Sequence, residues 1–266
     1  MRELFSLGIM QRALIGGVLV GFVAGYFGVF VVQRRMAFLG SGLAHAAFGG
    51  IALGILASVQ PIYIAIPFTV IVAVAIVWIR ESTALAEDTA IGVLFAASMA
   101  MGVVFISLKT GYSGDALTYL FGNILALSDG DVWLAVAMAC ATLATLPLWG
   151  AWAYATFDRD LARTDRLRVV AHDYALAVAI AIAIVVSIKM VGILLISAFL
   201  VLPAATARMV SRSFHRMAFL SVLIGTVTPA AGLCVSYFSD LPSCATIILL
   251  QTVLFAVALG IRRAAQ

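Results

Sequence analysis

The sequence predicts an all-α fold: a polytopic membrane helix bundle of about nine transmembrane helices, with one short non-spanning helix near residues 115–127. Three observations predict it. Hydrophobic residues make up 64% of the chain and charged residues 11%, where a soluble domain carries about 25% charged residues. Apolar stretches of membrane-spanning length recur along the 266 residues, each long enough to cross a hydrocarbon core roughly 30 Å thick as a helix. The charged residues collect in short segments between those stretches, as the loops of a multi-pass protein do. The length suits one transmembrane domain, residues 1–266, with no room for a second large one.

Each element follows from its own residues. The opening residues, Met1 to Phe5, read as a brief amphipathic lead and lack a small-residue cleavage site. The first span is expected over 10–32, where Gly17, Gly21 and Gly25 recur every four residues and offer a surface for close helix approach. The second covers 37–59 and ends at the Gln60, Pro61 turn. The third follows over 62–79. Arg80, Glu81, Glu87 and Asp88 then make a polar stretch, in which Asp88 or Thr89 can cap the fourth span, 89–108. Residues 115–127 are apolar but too short to cross, so they form a partly inserted or interfacial helix.

The fifth span, 132–157, carries Pro147 in its second half and should kink there. Residues 157–172 are the most charged part of the chain and should form short helical structure in water. The sixth span is 173–188, followed by a turn at 189–192. The seventh is 193–209, through Pro203. A basic loop with Arg208, Arg212, His215 and Arg216 leads into the eighth, 217–238, and the ninth runs over 243–261 to Arg262 and Arg263.

Composition also excludes. No Gly-rich phosphate loop is present, so ATP is not bound by this chain alone. Cys140, Cys234 and Cys244 are odd in number and far apart, which suits neither a disulfide framework nor a zinc knuckle. A net charge of +4 is spread between apolar spans, where it sets orientation, and does not point to nucleic acid. Cys244 reads as a small packing residue.

The second span holds the one histidine that lies within a span, His45. At helical spacing, Ser41, His45, Gly49 and Ala52 share a face. An ionisable group inside a span marks function by default; the structural alternative is an imidazole bonded to a neighbouring backbone carbonyl. By helical rise, His45 lies roughly 12 Å from Ala37, near the membrane midplane.

Five stretches in order carry a resemblance: Arg34-Arg35-Met36 leading to Leu43-Ala44-His45-Ala46, Glu87-Asp88-Thr89-Ala90-Ile91-Gly92, Tyr119-Leu120-Phe121-Gly122-Asn123, Lys189-Met190-Val191-Gly192 with Pro203 to Arg208, and Asp240-Leu241-Pro242. Together they resemble the permease subunits of bacterial ABC importers for divalent metals, the zinc permeases most of all. The resemblance implies a non-enzymatic, multi-pass permease of the bacterial cytoplasmic (inner) membrane. It implies two permease copies, a separate ATP-binding cassette ATPase, and a periplasmic or surface metal-binding protein that delivers the ion, Zn2+ in the first instance. No cofactor is implied; the metal is cargo. Manganese or iron permeases of the same family are the alternative. A self-contained secondary transporter ranks lower, because no acidic residue lies deep in a span.

The family usually has Asp four residues before the histidine; here that position is Ser41, a poorer ligand. The candidate metal contacts are therefore His45 and Ser41, with Asp115, Asn123 or Asp131 available to compensate. The resemblance also makes 157–172 the ATPase-coupling loop, with Arg159, Arg163, Asp165, Arg166 and Arg168 as its charged contacts. The alternative is a solvated loop that merely orients the protein.

With the N-terminus outside and nine crossings, the inside loops hold Arg34, Arg35, Arg80, Arg159, Arg163, Arg166, Arg168, Arg208, Arg212, Arg216, Arg262 and Arg263. That is 12 of 16 basic residues, as the positive-inside rule requires. In a cysteine-free background, an impermeant thiol reagent added outside is expected to label a cysteine placed at Ser113 and to miss one placed at Thr164. Labelling at 164 would overturn this topology.

Overall fold

The computed structural model describes residues 8–83, 85–109 and 115–264, the side chains of 115–117 apart. Among the described residues there are twelve α-helices, one short 3-10 turn and no strand. The helices are α1 Gly8–Gln33, α2 Ala37–Leu56, α3 Pro61–Ser82, α4 Glu87–Leu108, α5 Asp115–Phe121, α6 Asp129–Ala144, α7 Leu146–Phe157, α8 Arg159–Thr164, α9 Val169–Val191, α10 Ile193–Val210, α11 Phe214–Ser239 and α12 Ser243–Ala264. Eight are long and apolar enough to cross a membrane, and α6 with α7, bent by 63° at Thr145, can make a ninth.

The expected kink in the fifth span is thus a break. Pro147 sits in the first turn of α7, where its missing N–H costs nothing. Thr145 fills the gap: its hydroxyl donates to the Thr142 carbonyl at 2.6 Å and lies 3.1 Å from the Tyr26 hydroxyl of α1. Two other boundaries differ from expectation. The sixth span begins earlier, at Val169, and continues through Lys189 to Val191, so the turn shrinks to Gly192 alone. Neither Asp88 nor Thr89 caps α4; Ala86 holds that position without a side-chain bond, and Glu87 in the first turn accepts from Arg80 at 3.5 Å.

Small residues set the helix spacing, as lipid-embedded packing requires. α1 crosses α11 at the glycines read from the sequence. A Cβ on Gly21 would stand 1.8 Å from the Gly225 carbonyl oxygen, and Ser221 Oγ donates to the Gly25 carbonyl at 2.7 Å. α2 is the inner helix, packed by α3, α4 and α10. Trp152 of α7 is buried against Phe27 and Phe30 of α1.

The short 115–127 element is two pieces. α5 stops at Gly122, and a 3-10 turn, Ile124–Ala126, follows. Gly122 (φ 70°) lies against Gly192 (φ 90°) with backbones touching; a Cβ on Gly122 would meet the Gly192 nitrogen at 2.4 Å. Only glycine combines that conformation with that approach. The Asn123 N–H donates to the Lys189 carbonyl at 3.2 Å, and Lys189 Nζ donates to Asp131 Oδ2 at 2.6 Å. Two of the sequence stretches noted above thereby form one joint.

The ends of the bundle separate the charges. Arg34, Arg80, Arg159 and Arg163 interlock at one end, and Arg208 joins them through the Val32 carbonyl at 3.1 Å. Arg12 and Lys189 pair with Asp129 and Asp131 at the other end.

Gly21→Val should overpack the α1–α11 crossing and cost about 3 kcal/mol, read as a lower melting temperature and lower yield in detergent. Gly150→Ala is the control. Nothing lies within 4 Å of its added carbon, and it should leave stability unchanged or slightly raised.

Candidate functional site

α2 is buried almost throughout. From Leu39 to Ala52 every residue is buried except Ser41 and His45. The bundle thus covers a membrane helix and leaves open the two polar side chains it carries there. The rest of the predicted face closes. A Cβ on Gly49 would meet the Ser98 carbonyl of α4 at 2.7 Å, and Ala52 is fully buried. Small residues on that half serve helix approach, while the Ser41–His45 half stays accessible.

His45 Nδ1 lies 2.8 Å from the Ser41 carbonyl oxygen one turn earlier. A carbonyl only accepts, so Nδ1 carries the proton, and in the neutral ring Nε2 keeps its lone pair. The structural alternative for His45 is therefore present as a bond, and it does not compete with ligation. A backbone carbonyl on one ring nitrogen is the usual means of aiming the other at a metal. Phe95 of α4 meets the imidazole edge-on, with ring centroids 5.0 Å apart, and holds its plane. Among the described residues nothing is bonded to Nε2 or to the Ser41 hydroxyl.

Two of the residues expected to compensate for Ser41, Asn123 and Asp131, are engaged elsewhere. Asn123 Oδ1 accepts from the Leu125 N–H at 3.1 Å and caps the 3-10 turn. It lines a cleft of roughly 930 Å³ with Asp240, Ser243 and Cys244 at the α5–α12 end. Asp131 is held by Lys189 and by Ser128. Asp115 begins α5, but its side chain lies outside the described residues. Among the described residues, no three of His, Cys, Asp and Glu converge on one point. Cys244 is buried and donates to the Met190 carbonyl at 3.2 Å, a packing position.

The opposite end holds the charged segment. Asp158 caps α8 by accepting from the Leu161 N–H at 2.9 Å, and Arg166 closes the turn at φ 62°. The segment is ordered structure built on a cluster centred on Asp173, which is 4% exposed. Asp173 accepts from Arg34 at 2.6 Å and from Arg80 and Arg159 at 2.7 Å each. Glu81 takes Arg80, Arg159 and Arg163, and Glu87 takes Arg80. Arg34 also donates to the Thr156 hydroxyl at 2.8 Å.

The five expected coupling residues thus divide. Arg159 and Arg163 turn inward to Asp173 and Glu81. Asp165 accepts from the Tyr154 hydroxyl. Arg166 and Arg168 are exposed, with no carboxylate within 4 Å among the described residues. Asp173 and Glu81 were missed by reading residues one loop at a time. The signal was present: Asp173 opens a run without another acidic residue until Asp240, so its partners had to come from other loops.

Known proteins resemble this chain over nearly its whole length. The chain is 32% identical to the manganese transport system membrane protein MntC of Halalkalibacterium halodurans over 96% of its length and 88% of that protein's. It is 30% identical to the high-affinity zinc uptake system membrane protein ZnuB of Haemophilus influenzae, over 94% of this chain and 97% of that one. The solved structure of PsaBC from Streptococcus pneumoniae in complex with Fab superposes with a TM-score of 0.85 at 31% identity, over 97% of this chain and 93% of that chain. The model of the ABC 3 transport family matches residues 6–262, and the chain belongs to that family, the membrane permease subunits of metal ABC transporters, whose ATPase is a separate subunit.

Proposed function

We propose that this chain is the permease of an importer for a divalent metal, zinc, and that His45 contacts the ion in transit. The observation that carries this is the opening at Ser41 and His45 in an otherwise buried helix, with Nε2 aimed away from its backbone bond. Two copies would present two imidazoles and two hydroxyls, with no carboxylate beside them among the described residues. Zinc binds imidazole well, whereas manganese favours carboxylate and carbonyl oxygen. A site with few ligands also releases its ion readily. In this reading the pair of permeases sits in the bacterial cytoplasmic membrane, takes metal from an external binding protein, and keeps the Asp173 end inside.

The ATPase would meet the exposed side of α8 and the turn after it. Arg166 and Arg168, without a carboxylate partner among the described residues, would present their guanidiniums there, while Arg159 and Arg163 pass the load to Asp173 and Glu81, and so to α1, α3 and α9.

His45→Ala and His45→Asn should each cut uptake by roughly tenfold or more, the scale on which metal-site contacts act, with complex assembly intact. Asparagine keeps hydrogen-bonding capacity but is a poor zinc ligand. Near-normal uptake by the Asn variant in an assembled complex would sink the ligand role. Elemental analysis of cells with and without the protein identifies the cargo; manganese accumulation without zinc would overturn the choice of metal. Ser41→Asp should tighten binding and shift preference toward manganese.

The double variant Arg166→Glu with Arg168→Glu should insert normally and lose transport-coupled ATP hydrolysis. Wild-type coupling and wild-type capture of the ATPase would count against this surface.

A further inference from the structure

We propose that the cleft between the ends of α10, α11 and α12 binds the headgroup of an anionic phospholipid. The cleft has a volume of about 270 Å³ and is lined by Arg208, Arg212, Arg262, Ser211, Ser213 and Phe157. Two of its guanidiniums are placed by neutral groups. Arg208 donates to the Val32 carbonyl at 3.1 Å, and Arg262 lies 3.5 Å from Met209 Sδ. Arg212 is exposed.

Among the described residues no carboxylate pairs with them. Between Asp173 and Asp240 there is no acidic residue, nor any after Asp240. The carboxylates of Glu81, Glu87 and Asp173 at this end are taken by Arg34, Arg80, Arg159 and Arg163. Among the described residues, none of Arg208, Arg212, Arg216, Arg262 and Arg263 has a carboxylate within 4 Å. Three cations facing one polar cleft repel one another until an anion enters, and guanidinium forks match phosphate oxygens.

The surroundings choose the source of that phosphate. The arginines stand where apolar spans end, and the next turns expose Phe219 at 69% and Ile261 at 60%. A headgroup in the cleft would lay its acyl chains along those side chains. Basic pockets at helix ends are a known mode of anionic lipid capture.

The test uses the purified full chain in detergent with phosphatidylglycerol, with phosphatidylcholine of the same acyl chains, or with inorganic phosphate. Native mass spectrometry should show phosphatidylglycerol retained about tenfold more than phosphatidylcholine, and phosphatidylglycerol alone should raise the melting temperature. Arg212→Gln with Arg262→Gln should lower phosphatidylglycerol retention to the phosphatidylcholine level, while Arg35→Gln, an exposed arginine at the same end, should leave it unchanged. Equal retention of the two lipids, or undiminished phosphatidylglycerol retention by the double variant, would overturn the proposal. So would protection by inorganic phosphate alone, which would mark a free-anion site. Loss of ATPase capture by the double variant with lipid retention intact would assign the cleft to a protein interface instead.

Discussion

The carboxylate of Asp173 is the constraint on which one end of this bundle depends. Three guanidiniums from three parts of the chain converge on it: Arg34 after α1, Arg80 in α3 and Arg159 in α8. None would stay at low exposure alone. Glu81 and Glu87 bring the cluster to three acids against those three arginines, with Arg163 at its rim. Removing Asp173, the buried member, costs about 3–5 kcal/mol, because Arg34 and Arg80 are then stranded at low exposure. The cluster therefore fixes register among elements whose apolar surfaces alone would let them slide.

That fixing matters because the apolar packing is permissive elsewhere. In lipid there is little hydrophobic drive between helices, so contact depends on small residues and a few polar bonds. Gly21 and Gly225 bring α1 against α11, and Gly122 against Gly192 brings the short non-spanning element against the α9–α10 turn. The glycine joint and the arginine cluster stand at opposite ends of α9. The same helix, α9, thus joins the α8 segment to the glycine joint at its far end.

Much of this was legible in the residues, and the reasons differ by level. Span positions followed from apolar length, and the glycine crossing followed from four-residue spacing at Gly17, Gly21 and Gly25. Proline marked the bend in the fifth span, but its size could not be read, because Thr145 and Tyr26 stabilise it from different helices. The role of His45 as the exceptional group was legible from its isolation. The closing of the Gly49–Ala52 half of its face was not, since α3 and α4 supply that cover. Pairings over long separations were least legible. Arg159 reads as a surface charge in its own loop and becomes an internal strut only when Asp173 and Glu81 are placed beside it.

The break at Thr145 also bears on how the chain enters a bilayer. α6 has 16 residues and α7 has 12, so at helical rise they measure roughly 24 Å and 18 Å, each short of a roughly 30 Å core. Neither half is a self-sufficient insertion signal, and their junction carries a polar hydroxyl at Thr145. Tyr26 belongs to α1, which is synthesised first and is already in place when the junction arrives. The first span thus supplies a docking hydroxyl for the fifth, and the order of synthesis becomes part of what makes the broken span tolerable.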